Sequence, residues 1–278
     1  MPTIQRSGAT ISYDVQGDGP PLLLGHSLLL DGRMWDALVP GLARAYRVYN
    51  IDGRGHRHST TPGPFTLEDL ADDWLALLDQ EKIERALLCG LSMGGMTAMR
   101  LALRAPHRVA AMALLDTSAD REPTAQRRGY RLLGELQRRV RIDALLTPVV
   151  RQKLFGATTR RERPDIVERG VAIVRDNDPR RLYPALRAVI DRGAITRHLK
   201  AIHTPTLVLV GDEDVATPPE RAERIATRIP GATLVRIAGA GHLSAMEQPA
   251  AVAAHLEPFL HRHASAAAMR RSNAASIP

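Results

Sequence analysis

Apolar and polar positions along this chain follow two alternating rhythms. Residues 10–15 alternate apolar and polar side chains ahead of the turn Gln16-Gly17-Asp18-Gly19-Pro20, the pattern of an edge hairpin strand. Pro21-Leu22-Leu23-Leu24-Gly25 is a short continuous apolar run, as expected for a strand buried on both faces. Further strands are predicted at 46–52, 86–91, 109–115, 205–211 and 233–238. Between them, helical spacing covers 32–42, then 66–79 with Leu67, Leu70, Trp74, Leu77 and Leu78 in register and Thr66 as N-cap. More helices are predicted after residue 92 up to Pro106, at 219–228 and at 249–261. Residues 118–200 break the alternation: they are Arg-rich, show helical periodicity at Leu133, Leu136 and Val140, and hold no strand. The fold class predicted is α/β, a mostly parallel central sheet flanked by helices with an inserted helical cap. Residues 1–117 and 201–263 form the core, 118–200 the cap, and the Ala/Ser-rich stretch 264–278 a disordered tail.

Composition adds little to this until charge is located. The 278 residues are 44% hydrophobic and 24% charged, ordinary for a soluble globular protein with a sizeable core. Cys89, the single cysteine, excludes an intramolecular disulfide and reads as a small buried residue. No basic segment followed by an apolar one opens the chain, so no signal peptide is expected, and the reading is cytoplasmic. The net charge is +8, and 118–200 alone carries 20 Lys and Arg against 10 Asp and Glu. Two readings stand: a solvated helical surface, or steering of an anionic substrate. No nucleic-acid motif accompanies the basic residues, and apolar stripes this short pack on protein rather than membrane, so neither partner is expected. Oligomeric state is not legible.

The chemistry centres on Ala86-Leu87-Leu88-Cys89-Gly90-Leu91-Ser92-Met93-Gly94-Gly95-Met96. Strand, Gly-x-Ser-x-Gly and helix in this order make a nucleophile elbow, a sharp turn that exposes the Ser92 hydroxyl above the sheet. Gly90 and Gly94 stand where a Cβ would collide with neighbouring backbone. A serine hydroxyl is a poor nucleophile at neutral pH; it needs a base, and the base an orienting acid. Asp214 and His242, both just after predicted strands, supply them in the chain order Ser…Asp…His.

With these residues in place, 10–261 resembles the α/β-hydrolase fold superfamily of capped serine hydrolases, in its esterase and enol-lactonase branch. The resemblance implies that Ser92 is the nucleophile, Asp214 the acid and His242 the base. Asp212 falls on a variable position, and Asp116, where some relatives carry the acid, ranks second. It implies an oxyanion hole from the backbone N–H groups of Leu28 and Met93, with His26 bracing the oxyanion loop. The chain departs from the family pattern at His26-Ser27-Leu28-Leu29, where His-Gly is common and a glycine usually stands at the Leu29 position. It departs again in Asp52-Gly53-Arg54-Gly55-His56-Arg57-His58-Ser59, where Arg57 replaces a glycine. A requirement for positive φ there strains Arg57 or reshapes the loop, and sends His58 to the pocket mouth or to solvent.

The implied function is hydrolysis of carboxylic esters or lactones through an acyl-enzyme, with no cofactor and no metal. The partner is a small-molecule ester or lactone. Similarity of the stretch from His26 to Asp36 to 3-oxoadipate enol-lactonases, with the basic cap, points to an anionic one. Relatives with the same three residues also hydrolyse C–C bonds, transfer acyl groups or act as cofactor-free perhydrolases. A reading from a different class is a non-catalytic small-molecule binder on a hydrolase scaffold. Serine at the elbow argues against the haloalkane dehalogenase and epoxide hydrolase branches, which carry aspartate there.

Overall fold

The computed structural model describes residues 1–269. Strands β1 (Thr3–Arg6), β2 (Ala9–Gln16), β3 (Pro21–Gly25) and β4 (Arg47–Ile51) open the chain. β1 runs antiparallel to β2, and β2 antiparallel to β4. β2 is thus covered on both sides rather than an edge; the edge is β1, whose four residues are too few to show an alternating pattern. From β4 onward the sheet is parallel, in the order β4, β3, β5 (Ile83–Leu91), β6 (Val109–Leu115), β7 (Thr206–Gly211) and β8 (Thr233–Ile237).

Helices α1 (Val39–Leu42), α2 (Leu67–Gln80) and α3 (Met93–Arg104) precede β6. Between β6 and β7 the chain builds only helices: α4 (Thr124–Val140), α5 (Asp143–Leu154), α6 (Ala157–Glu162), α7 (Pro164–Asp176) and α8 (Pro179–Ile190). Helices α9 (Pro219–Arg228), α10 (Ser244–Glu247) and α11 (Pro249–His263) complete the core. Among the described residues no helix is long and apolar enough to cross a membrane. The helix expected over 32–42 breaks into a 3-10 turn at Gly32–Trp35 and the short α1, because Pro40 has no N–H to continue the ladder. Of the tail expected to be disordered, Ala264–Ala266 forms a 3-10 turn and β9 (Ala268–Met269) pairs antiparallel with the start of β5. That end of β5 overhangs its neighbours: the ladder to β3 begins only at Leu87 and the ladder to β6 at Ala86. The rest of that tail, 270–278, lies outside the described residues.

Each central strand packs on both faces, which is why it reads as a continuous apolar run. Leu22, Leu24, Leu87, Cys89 and Leu91 point to the side of α1 and α11, and Leu23, Leu88, Met112 and Leu114 to the side of α2, α3 and α9. The chain leaves β3 toward β4 on one side and returns through β5 on the other. The strand order therefore reverses between β3 and β5, and the crevice at their carboxyl ends is where ligands bind in open α/β sheets. Ser27 and Leu28 follow β3, and Ser92 follows β5.

Helix α2 starts at Thr66, whose hydroxyl accepts from Asp69 N–H while Asp69 accepts from Thr66 N–H, a reciprocal capping box. On its buried face Asp73 takes two bonds from Arg54, at 2.7 and 2.8 Å, and ties the 52–59 loop to the helix. Both side chains are almost fully buried. Asp73→Ala strands the guanidinium and is expected to lower the unfolding free energy in urea by about 3–5 kcal/mol. A loss under about 1 kcal/mol would show that Arg54 finds other partners.

Candidate active site

Ser92 sits between β5 and α3 with φ 52°, in the left-handed region that L side chains avoid. Three bonds hold it there. Its N–H donates to Leu115 O (2.9 Å), and its carbonyl accepts from Met96 N–H (2.9 Å) and Thr117 Oγ1 (2.7 Å). The glycines on either side are required by space. A Cβ on Gly90 would lie 2.3 Å from Gly94 C, and one on Gly94 would lie 2.2 Å from Gly25 O.

From Ser92 a hydrogen-bond chain runs inward. Ser92 Oγ is 2.9 Å from His242 Nε2, and His242 Nδ1 is 2.9 Å from Asp214 Oδ2. Asp214 also accepts from Ala216 N–H (2.8 Å), Thr217 N–H (2.9 Å) and Thr217 Oγ1 (2.8 Å). With Asp214 ionised, the imidazole proton belongs on Nδ1, which leaves Nε2 free to accept from Ser92. Burial opposes charge on Asp214, but His242 and these donors outweigh it and hold the carboxyl below its usual range. Burial likewise opposes the imidazolium; Asp214, with Asp116 and Glu247 behind it, outweighs that and raises His242 above 6.5.

Asp116, second in line for the acid from the sequence, and Glu247, which the sequence does not mark, stand behind the histidine. Asp116 does not bond His242. Its oxygens accept from Gly211 N–H (2.8 Å), Ser244 N–H (3.1 Å) and Ser244 Oγ (2.5 Å), and so pin the end of β7 and the segment after His242. Burial, reinforced by nearby Asp214, pushes its carboxyl up to about 8. Glu247 accepts from Gly241 and Leu243 N–H, the two neighbours of His242, at 3.0 Å each, and from Gly156 N–H of the inserted segment at 2.8 Å. Asp212 is exposed and caps Gly239 N–H (2.8 Å), away from the histidine.

His26 lies outside the Ser92–His242–Asp214 chain. Its Nε2 accepts from Gly53 N–H (2.8 Å), so its proton sits on Nδ1 and points at Ser27 O (2.8 Å), joining the loops after β3 and β4. His56 stands edge-on to it at 4.6 Å, and burial pushes its pKa down to about 3. Leu28 lies in a cavity wall with Ser92 and His242, while the Met93 side chain packs toward His26 and Gly53. Neither Leu28 N–H nor Met93 N–H has an acceptor among the described residues. The two family departures are both left-handed, Leu29 at φ 73° and Arg57 at φ 45°, and His58 is exposed.

Residues 20–249 match the α/β hydrolase fold family. The chain belongs to that family. The 3-oxoadipate enol-lactonase 2 of Acinetobacter baylyi is 29% identical over 265 residues, which cover 93% of this chain and 91% of the relative. Among solved structures, a thermophilic esterase from Thermogutta terrifontis superposes with a TM-score of 0.88 at 32% identity, covering 94% of this chain and 97% of that one. The enol-lactonase from Burkholderia xenovorans LB400 superposes with a TM-score of 0.86 at 30% identity, covering 94% and 100%. These likenesses set this α/β hydrolase in the esterase and lactonase branch, as a hydrolase acting on ester bonds.

The cavity of this α/β hydrolase, about 270 Å³, lies between Ser92 and the inserted helices. Its wall is overwhelmingly apolar, with Leu133, Leu146, Val150, Val171, Leu182 and Leu186 contributed by α4, α5, α7 and α8. The pKa of His242 offers a direct check. Asp214→Asn removes the largest charge opposing burial, so the imidazole is expected to titrate below 6.5 by NMR instead of above it. Because His242 is raised and Asp214 lowered, the stability this pair contributes is full between the ordinary carboxyl and imidazole values. It is lost as pH climbs through the folded-state value of His242, and lost again as pH falls through that of Asp214. An unchanged titration in the variant would mean that Asp214 does not set it.

Proposed function

We propose that this α/β hydrolase cleaves carboxylic esters and lactones through an acyl-enzyme on Ser92, with His242 as base and Asp214 as its orienting acid. The observation that carries the reading is the unbroken chain from Ser92 Oγ to His242 to Asp214, 2.9 Å at each step, opening on a substrate-sized cavity. Ser92 Oγ bonds to the acyl carbon as its proton passes to His242 Nε2. The carbonyl oxygen becomes an oxyanion facing Leu28 N–H and Met93 N–H. The C–O bond to the leaving group then breaks, and the leaving oxygen takes the proton from Nε2. Water repeats the sequence: its proton goes to Nε2, its oxygen to the acyl carbon, and Ser92 leaves with the proton returned. Backbone donors of this kind are worth on the order of 10²–10³ in turnover each, and because they belong to the main chain, side-chain substitution at Leu28 or Met93 does not probe them.

The apolar wall favours an uncharged acyl chain of medium length over an acidic lactone. Of the cations in that wall, Arg192 is buried and already paired with Glu122 at 3.0 Å, while Lys153 is half-buried and Arg175 exposed. Among the described residues a substrate carboxylate therefore finds no unpaired fully buried cation there. Turnover of p-nitrophenyl esters is therefore expected to rise from acetate to butyrate or hexanoate. Ser92→Ala should reduce it by at least about 10⁴-fold. The profile of kcat/KM should rise with pH through a value above 6.5, where His242 loses its proton. A chain with no ester turnover and no fluorophosphonate labelling of Ser92 would overturn the reading.

A further inference from the structure

Leu29 and Arg57, two of the positions where this chain lacks the family's glycine, share one buried side chain. Asn177 lies between α7 and α8 and is 3% exposed. Its Oδ1 accepts from Arg57 N–H at 2.7 Å. Its two amide hydrogens serve three acceptors, Asp31 Oδ2 (3.1 Å), Ile173 O at the end of its own helix (3.1 Å) and, as the longer arm of a shared bond, Leu29 O (3.4 Å). Ser27 O accepts from Leu30 N–H (3.2 Å), so 27–30 is a β-turn with Leu28 and Leu29 at its centre. Positive φ at Leu29 marks it as type II, a turn whose third position ordinarily needs glycine. The direction of Leu28 N–H depends on that turn keeping its shape. With leucine in the left-handed position, the turn does not hold itself.

We propose that Asn177 is a positioning residue for the ester-hydrolysis reaction: it clamps Leu29 and Asp31 so that Leu28 N–H stays aimed at the oxyanion, and it makes that aim depend on the inserted helices. The inference rests on the Ser92 acyl-enzyme reading above. Asn177 itself lines the cavity, next to Val174 and Leu182 of the helices it joins, so the wall that receives the acyl chain and the loop that receives its oxyanion are one connected unit. Arg57, held by the other end of the same amide, extends the unit to the loop after β4, whose Gly53 bonds His26.

The test compares wild type, Asn177→Ala, Asn177→Ser, Ser92→Ala and the double variant Asn177→Ala/Leu29→Gly on p-nitrophenyl butyrate. Affinity for an aryl trifluoromethyl ketone is measured alongside, since its hemiketal oxyanion on Ser92 occupies the same donors. Asn177→Ala is expected to lower kcat by about 10- to 100-fold with KM changed less than about threefold, as for a misplaced catalytic group. The ketone should weaken in step with kcat. Leu29→Gly should return at least about fivefold of the loss, because glycine keeps the turn without an anchor. The serine variant, which packs but cannot reach, gives the same readout should the alanine variant not fold. Unchanged kcat and ketone affinity in folded Asn177 variants would overturn the inference, as would a kcat loss that Leu29→Gly does not recover. In either case, an inactive Ser92→Ala leaves the acyl-enzyme reading standing, whereas an active one removes that reading itself.

Discussion

Backbone rests directly on backbone where β3, β5 and α3 meet, and the rest of the site depends on that contact. A single carbon added at Gly94 would fall 2.2 Å from Gly25 O, and one at Gly90 would fall 2.3 Å from Gly94 C. The approach is close enough for Gly94 N–H to donate to His26 O at 3.1 Å, which ties the loop after β3 to the first turn of α3. Because the strand order reverses between β3 and β5, the loop bearing Leu28 and the turn bearing Ser92 open side by side. The N-terminus of α3 lies beneath both, and its Met93 N–H has no acceptor among the described residues. The left-handed backbone at Ser92 is a local cost of a kind typically near 1–3 kcal/mol, and it persists because its N–H and carbonyl are satisfied on three sides.

Around the imidazole the chain buries three carboxyl groups, Asp214, Asp116 and Glu247, and satisfies them with N–H and O–H donors rather than with arginine or lysine. The choice of partner matters electrostatically. A carboxylate paired with a guanidinium has its field largely cancelled, as at Asp31, where Arg33 overcomes the cost of burial and holds the group at about 2. Neutral donors hold a carboxylate in place while leaving its charge to act on its surroundings. Burial opposes the imidazolium of His242, but the Asp214 charge outweighs it and raises the group, whereas Asp116 is raised by burial, reinforced by Asp214, against the pull of its own donors. The same bonds set geometry: Glu247 grips both neighbours of His242 together with Gly156, and Asp116 joins the end of β7 to the residue two past the histidine.

Much of this was legible from the residues alone, and what was not has a common cause. Strands β3 and β6, β5 from Ala86 onward and β7 from Leu207 onward announce themselves because burial on both faces leaves no polar positions there, whereas Glu84 and Arg85 stand in the overhanging start of β5. Ser92, Asp214 and His242, which lie in one hydrogen-bonded chain, could be picked out as candidates because each stands at a strand end in the order the family uses. Asp116 could be placed only as second choice for the acid and Glu247 not at all, since most of their partners are main-chain groups without a sequence signature; Gly156 is 91 residues from Glu247. The inserted helices show a related limit. Leu132 and Leu133 are neighbours on α4 with the same apolar character, yet Leu133 lines the cavity and Leu132 is 71% exposed. Periodicity locates a helix, but only the packing of a second helix decides which part of a broad apolar face is lined and which is left to solvent.

Leu29 and Arg57 carry this argument one step further. The family pattern marks both as places where glycine is expected, and the structure keeps the left-handed backbone while discarding the residue that makes it free. Each such substitution costs about 1–2 kcal/mol unless contacts elsewhere hold the conformation. Arg57 is held by Asn177, by Asp14 at 3.0 Å and by Asp52 at 3.7 Å; Leu29 is held by Asn177 and by its place in the cavity wall. A turn built on glycine keeps its shape whatever packs above it. One built on leucine keeps its shape only while its anchor is in position, and here the anchor belongs to the helices that also line the cavity. With leucine in the left-handed position of that turn, the loop after β3 is tied through Asn177 to the segment that lines the cavity, so that wall and loop form one connected unit.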